Sequence, residues 1–198
     1  MDLDQLREAI ASGDPGRAMP ALAGLREASA EEAEPLLLLG LEQSAFMVRS
    51  LSCAGLGMKP TAAGWDALVR ALQHDDDANV RAEAANALVS HSLERAWPLL
   101  LDAFQRDNQW LLRCSVLSAV AEHPEMAMEP LLEVGRLACA DADSTVRVGG
   151  AEILSRVARE APTGSELVEQ AREALRGLQQ DSDHRVVAAA LNGLNSGC

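Results

Sequence analysis

Residues 68–88, LVRALQHDDDANVRAEAANAL, decide the fold. Leu68, Val69 and Leu72 carry the apolar spacing of a helix that ends at Gln73 or His74. Three consecutive carboxylates, Asp75, Asp76 and Asp77, interrupt that pattern and offer acceptors to the unbonded N–H groups of a following helix. From there Val80, Ala84 and Leu88 recur at intervals of four, an apolar stripe narrow enough for close helix-on-helix packing. The segment therefore reads as helix, acidic turn, helix.

The same pattern recurs on either side. The aliphatic-Arg pair Val80-Arg81 has counterparts 32 residues away in both directions, at Val48-Arg49 and Leu112-Arg113. Val146-Arg147 follows after 34, Gly16-Arg17 stands 32 before Val48-Arg49, and Val186-Val187 keeps the aliphatic residue without the Arg. Asp75, Asp107, Asp141 and Asp181 each lie five residues before the aliphatic position. First helices are legible in GWDALVRALQ, WPLLLDAFQ, EPLLEVGRLA and LVEQAREALRGLQ, which begin at Gly64, Trp97, Glu129 and Leu167. Neither helix of a pair can bury its stripe alone, so the pairs are expected to stack around a shared core. The expectation is an all-α solenoid of about six helical hairpins, a single domain over residues 1–198 with atypical caps at about 1–29 and 162–198. Pro20 fits a helix interior badly, which a terminal repeat tolerates best. Pro35, Pro98 and Pro130 are expected near first turns.

A tetratricopeptide unit requires Tyr, which is absent here, and an ankyrin unit requires Thr-Pro-Leu-His, also absent. The order of helix, Asp-rich turn, Val-Arg and small-residue helix resembles HEAT repeats, in a form shorter than the usual ~40 residues. It is most similar to the compact HEAT-like repeat named after phycobilisome lyases, sharply so between Ala33 and Ala158. Cyanobacterial proteins of that subtype include bilin lyases, which help attach tetrapyrroles to phycobiliprotein cysteines, and relatives that act in phycobilisome degradation. The resemblance implies a protein that presents a phycobiliprotein subunit or bilin, with the acceptor thiol on the partner. The lack of Tyr and the scarcity of His weigh against a direct bilin pocket.

Hydrophobic residues make up 48% of the chain, largely as Ala and Leu, while aromatics are only 3%. Such a core suits closely packed helices and not a β-sandwich. A net charge of −13 repels a phosphate backbone and favours a protein partner with a basic or apolar patch over nucleic acid. The longest aliphatic run, Leu36 to Leu39, is far below the ~20 residues of a membrane span, and the opening Met1-Asp2-Leu3-Asp4 lacks a signal peptide's basic start. Cys53, Cys114, Cys139 and Cys198 form no CxxC and read as reduced thiols of a cytoplasmic protein.

No nucleophile elbow, P-loop, dinucleotide fingerprint or zinc-protease motif is present, and no cofactor is expected. The column Arg17, Arg49, Arg81, Arg113, Arg147 is read as repeat-to-repeat ion pairing, and the acids after His74 as caps and not a metal site. His91 and His123 share a repeat position and are read as helix-end hydrogen bonders. Cys53 belongs to the core; Cys139 shares its position with Gln73, Gln105 and Gln179 and is expected to be partly exposed. Cys114, Cys139 and Cys198 are the thiols that a reactive or iron–sulfur-assembly role would need. Phe46 and Trp110 occupy one repeat slot, Trp65 and Trp97 another; each pair is either an exposed recognition strip or a plug for the core ends. The reading is a scaffold or adaptor whose second helices present Phe46, Ala82, Asn86, Trp110, Cys114, Ser118 and Glu152, together with Val148, to a partner protein. The alternatives are a bilin lyase or lyase-like chaperone, and an accessory of iron–sulfur assembly.

Overall fold

The computed structural model describes residues 2–195. Among them are twelve α-helices and no strand, the all-α succession of six helical hairpins that the repeat spacing implies. Their contacts fall into two compact units, residues 1–115 and 116–198.

The first unit holds α1 (Leu3–Ile10), α2 (Pro15–Gly24), α3 (Ala30–Leu41), α4 (Phe46–Met58), α5 (Ala62–His74), α6 (Ala78–His91), α7 (Leu93–Arg106) and the opening of α8 (Trp110–Ala121). The stripe read from the sequence is its core: Val48, Ser52, Leu56, Val80, Ala84 and Leu88 are all buried. Small residues set the distance between neighbouring second helices. A Cβ on Gly57 of α4 would sit 2.9 Å from both Cα and Cβ of Ala87 on α6. The second unit is built from α9 (Met128–Cys139), α10 (Ser144–Glu160), α11 (Glu166–Gly177) and α12 (His184–Asn195), with the end of α8. Val146, Leu154, Leu175 and Val186 fill its core, and Gly150 lets α10 press against the backbone of Ala138 and Cys139.

Most helix starts carry side-chain caps that satisfy N–H groups the helix itself leaves unbonded, while α4 and α9 follow Ala45 and Ala127 without one. Asp2 with Gln5 and Ser29 with Glu32 form reciprocal capping boxes, and Thr61, Ser92 and Ser165 cap α5, α7 and α11. Two of these caps correct the sequence reading of the prolines. Pro130 does lie in the first turn of α9, but Ser29 and Ser92 start α3 and α7 earlier than expected. Pro35 and Pro98 are consequently each the sixth residue of their helices. Pro20 stands inside α2, in the first hairpin.

The Arg–Asp column braces successive repeats. Arg49 Nε and Nη2 donate to the two carboxylate oxygens of Asp75 at 2.8 and 2.9 Å, while Nη1 donates to the carbonyls of Gln43 and Ser44 in its own turn. Arg81 does the same with Asp107 and the carbonyls of Asp75 and Asp76, and Arg147 with Asp181 and the carbonyls of Asp141 and Ala142. In all three pairs both side chains are only 10–15% exposed. The first repeat departs from the pattern: Gln43 stands where the later turns have Asp, and Arg17 forms no ion pair among the described residues. Helix capping itself falls two residues later, to Asp77, Asp143 and Asp183, which accept from the N–H groups of Asn79, Thr145 and Arg185.

Candidate functional site

In the unit of residues 1–115 the second helices α4, α6 and α8 lie side by side. Gly57 meets Ala87 between the first two, and the Ser115 hydroxyl reaches from α8 to the Ala82 carbonyl (3.2 Å) and Asn86 Oδ1 (3.0 Å) on α6. Helix α4 opens with Phe46 and Met47 exposed and closes with Met58 exposed; α8 opens with Trp110, 48% exposed. Asn86 is exposed and Cys114 half-buried on the same set of helices. Ala82 is buried, so its side chain offers no surface to a partner, and the Ser115 hydroxyl lies against its carbonyl. Ser118 and Glu152 are exposed, and Val148 half-buried, in the unit of residues 116–198.

The aromatic side chains divide sharply. The sequence holds three Trp and two Phe. Trp65 is buried beneath the Arg95 guanidinium, 3.9 Å from its ring, and beside the His91 imidazole, so it fills the core. Phe104 is buried and Trp97 half-buried. Phe46, 39% exposed, and Trp110 are thus the aromatic surface of the described residues. A chain this poor in aromatic residues leaves two of five in solvent, at equivalent positions two repeats apart.

One residue of this face escaped sequence reasoning. Glu83 on α6 is half-buried, and desolvation raises its carboxyl above the usual range. Its repeat equivalents are Leu51, Ser115, Gly149 and Ala189, none charged. That lone charge in an otherwise uncharged column is the signal that was available. Burial foremost, with Glu83 and Asp75 adding to it, also pushes the Cys53 thiol up to about 12.

The remaining candidate groups are engaged or isolated. Burial pushes the Cys139 thiol up to about 12, away from the thiolate that nucleophilic or ligand chemistry requires. Cys198 lies outside the described residues. His91 Nε2 is 2.9 Å from the Leu56 carbonyl at the end of α4, and His123 Nδ1 is 2.8 Å from Glu125 Oε1. His74 is exposed at the end of α5, while Asp75 and Asp77 serve the Arg49 pair and the α6 cap. No group of three or more His, Cys, Asp or Glu residues able to hold a metal ion occurs among the described residues. No helix among them is long and apolar enough to cross a membrane.

Comparison with known proteins agrees with the architecture. A family model described as HEAT repeats matches residues 34–121. No curated protein matches the chain. Two solved structures of engineered proteins are similar over 99% of this chain: one at 19% identity and TM-score 0.61, covering 96% of its own length, the other at 21% and 0.59, covering 98%. Human deoxyhypusine hydroxylase, solved in complex with glycerol, is similar at 14% identity and TM-score 0.54, over 98% of this chain and 95% of that one. At these identities the likeness is one of fold.

Proposed function

We propose that this chain is a docking protein that holds a partner protein on the second helices of residues 1–115. The observation that carries the reading is the exposure of Phe46, Met47 and Trp110 at the openings of α4 and α8. Large aromatic and Met side chains are the types that dominate binding energy when a partner covers them. Asn86 and the half-buried Glu83 stand on α6 between those helices and would meet the partner's polar and basic groups. A net charge of −13 favours a partner whose contact surface is apolar and basic. HEAT-type repeats commonly present such surfaces, which supports the class of function without naming the partner. The narrower resemblance to the phycobilisome-lyase repeat bears only on who that partner is.

Site-specific photo-crosslinking tests the reading. A photoreactive amino acid at position 110 should capture a discrete protein from lysate of the source organism. Trp110→Glu and Asn86→Lys, in chains with unchanged helical content, should each reduce capture through a crosslinker at position 46 by about tenfold or more. Capture unaltered by either substitution would overturn the proposal. Phycobiliprotein subunits among the captured proteins would support the lyase-type partner; their absence would dismiss it.

A further inference from the structure

We infer that the first helices of the second unit carry a separate docking groove, shaped for an amphipathic segment with apolar residues on one face and Lys or Arg beside them. The groove lies between α9 and α11 and has a volume of about 700 Å³. Its floor is apolar, from Leu132, Leu137 and Leu167, with Ala140 at one end.

Leu137 shows that stacking alone does not account for this floor. The register that aligns Cys139 with Gln73, Gln105 and Gln179 places Leu137 opposite Ala71, Ala103 and Gly177. Three first helices, α5, α7 and α11, fulfil their packing role with a small residue at that position, and in α3 the equivalent Leu39 is half-buried. In α9 the leucine is 38% exposed. A large apolar side chain in solvent, at a position where α5, α7 and α11 pack with a small one, is a surface feature and not a core requirement.

Charge at the rim selects the occupant. Glu129 and Glu133 on α9 and Glu166 on α11 border the apolar floor, and all three are exposed. The one cation at the rim, Arg136, donates from Nη1 to Gln170 Oε1 at 3.2 Å, and Gln170 Nε2 donates to Glu166 Oε1 at 2.8 Å. This chain of bonds ties the two walls together and leaves Glu129 and Glu133 facing solvent beside the leucines. Apolar floor and acidic rim together complement a helix with leucine-type anchors at i, i+3 and i+4 and basic residues flanking them. The site is distinct from the one on α4, α6 and α8, because no residue is shared.

The test uses the full chain and a fluorescein-labelled 16-residue helical peptide of Leu and Lys, with a Leu/Glu peptide of identical spacing as control. Fluorescence anisotropy should show the Leu/Lys peptide bound at least about tenfold more tightly than the control. Leu137→Ala introduces the residue that α5 and α7 carry at this position and should leave the melting temperature unchanged while weakening the peptide about fivefold or more. Glu133→Lys should weaken it similarly, and Trp110→Glu should not affect it. Equal binding of the two peptides, or binding insensitive to Leu137→Ala, overturns the inference. If Leu137→Ala instead abolishes self-association in sedimentation, or abolishes binding of a small apolar dye without affecting the peptide, the occupant is a second copy or a small ligand and the inference fails.

Discussion

At the scale of single residues, one guanidinium does two jobs in each braced repeat. Arg147 closes its own turn through two carbonyls and holds Asp181 of the next repeat through two further bonds. Removing one member of a largely buried pair leaves the other desolvated and unpaired, so Arg147→Met is expected to lower unfolding stability by about 2–3 kcal/mol at pH 7. The pH dependence has a definite sign. The Arg147 hydrogen bond, helped by the Asp183 N–H, holds the Asp181 carboxyl below its ordinary value. Between that depressed value and the ordinary one, the unfolded chain binds the proton and the folded chain does not. The stabilisation is therefore complete above the ordinary carboxylate range and is lost as pH falls through the folded value. Urea titrations of both proteins at pH 7 and pH 3 should show the gap narrowing in acid; a gap of constant size would contradict this account. The Arg and Asp columns were legible in the sequence because a fixed spacing exposes any side chain that every layer needs. Arg156 was not. It reaches the carbonyls of Val120, Ala121, His123 and Pro124 at the end of α8, from one residue before the repeat slot that Lys59 and His91 use for similar contacts, so the period does not single it out.

At the scale of the helix, spacing between neighbours depends on residues that contribute almost no side chain. Gly57→Ala would drive a methyl group into the Ala87 backbone of α6, where no flexible side chain can yield. Overpacking outweighs the gain in helix propensity, so the substitution should destabilise by about 1–2 kcal/mol and lower Tm by a few degrees. Gly177 ends α11 at ordinary helical angles with nothing within 4 Å of an added Cβ. There Gly177→Ala should stabilise by about 0.5–1 kcal/mol, chiefly by restricting the unfolded chain. Thermal melts of the two variants should move in opposite directions, and a common direction would mean that propensity and not packing decides both. Hairpin number and the buried stripe were readable in advance, since periodicity reports which face is apolar. Helix starts were less so. Ser29 and Ser92 win α3 and α7 an extra turn by satisfying N–H groups, and Pro35 and Pro98 gave the opposite impression because proline is most familiar in a first turn.

At the scale of the whole molecule, the acidic surplus separates how a partner arrives from what keeps it bound. Acidic residues outnumber basic ones in both units. The resulting field acts over a distance that salt controls, about 30 Å at 0.01 M ionic strength and about 3 Å at 1 M. Trp110 and Phe46 act only on contact, through apolar area that salt does not screen. For a crosslinked partner with a basic contact surface, raising salt across that range should therefore slow association by about tenfold or more. Dissociation should change far less. Trp110→Glu should reverse the pattern, speeding dissociation strongly while changing association little, because one added charge is small beside a net charge of −13. Stopped-flow or surface-plasmon kinetics resolves the two constants. If salt acts mainly on dissociation, the anchors are ionic and the aromatic residues are bystanders. The sequence revealed the charge but not this division of labour, because exposure of Phe46 and Trp110, against burial of Trp65 and Phe104, is settled by which helix end each one occupies and by what packs over it.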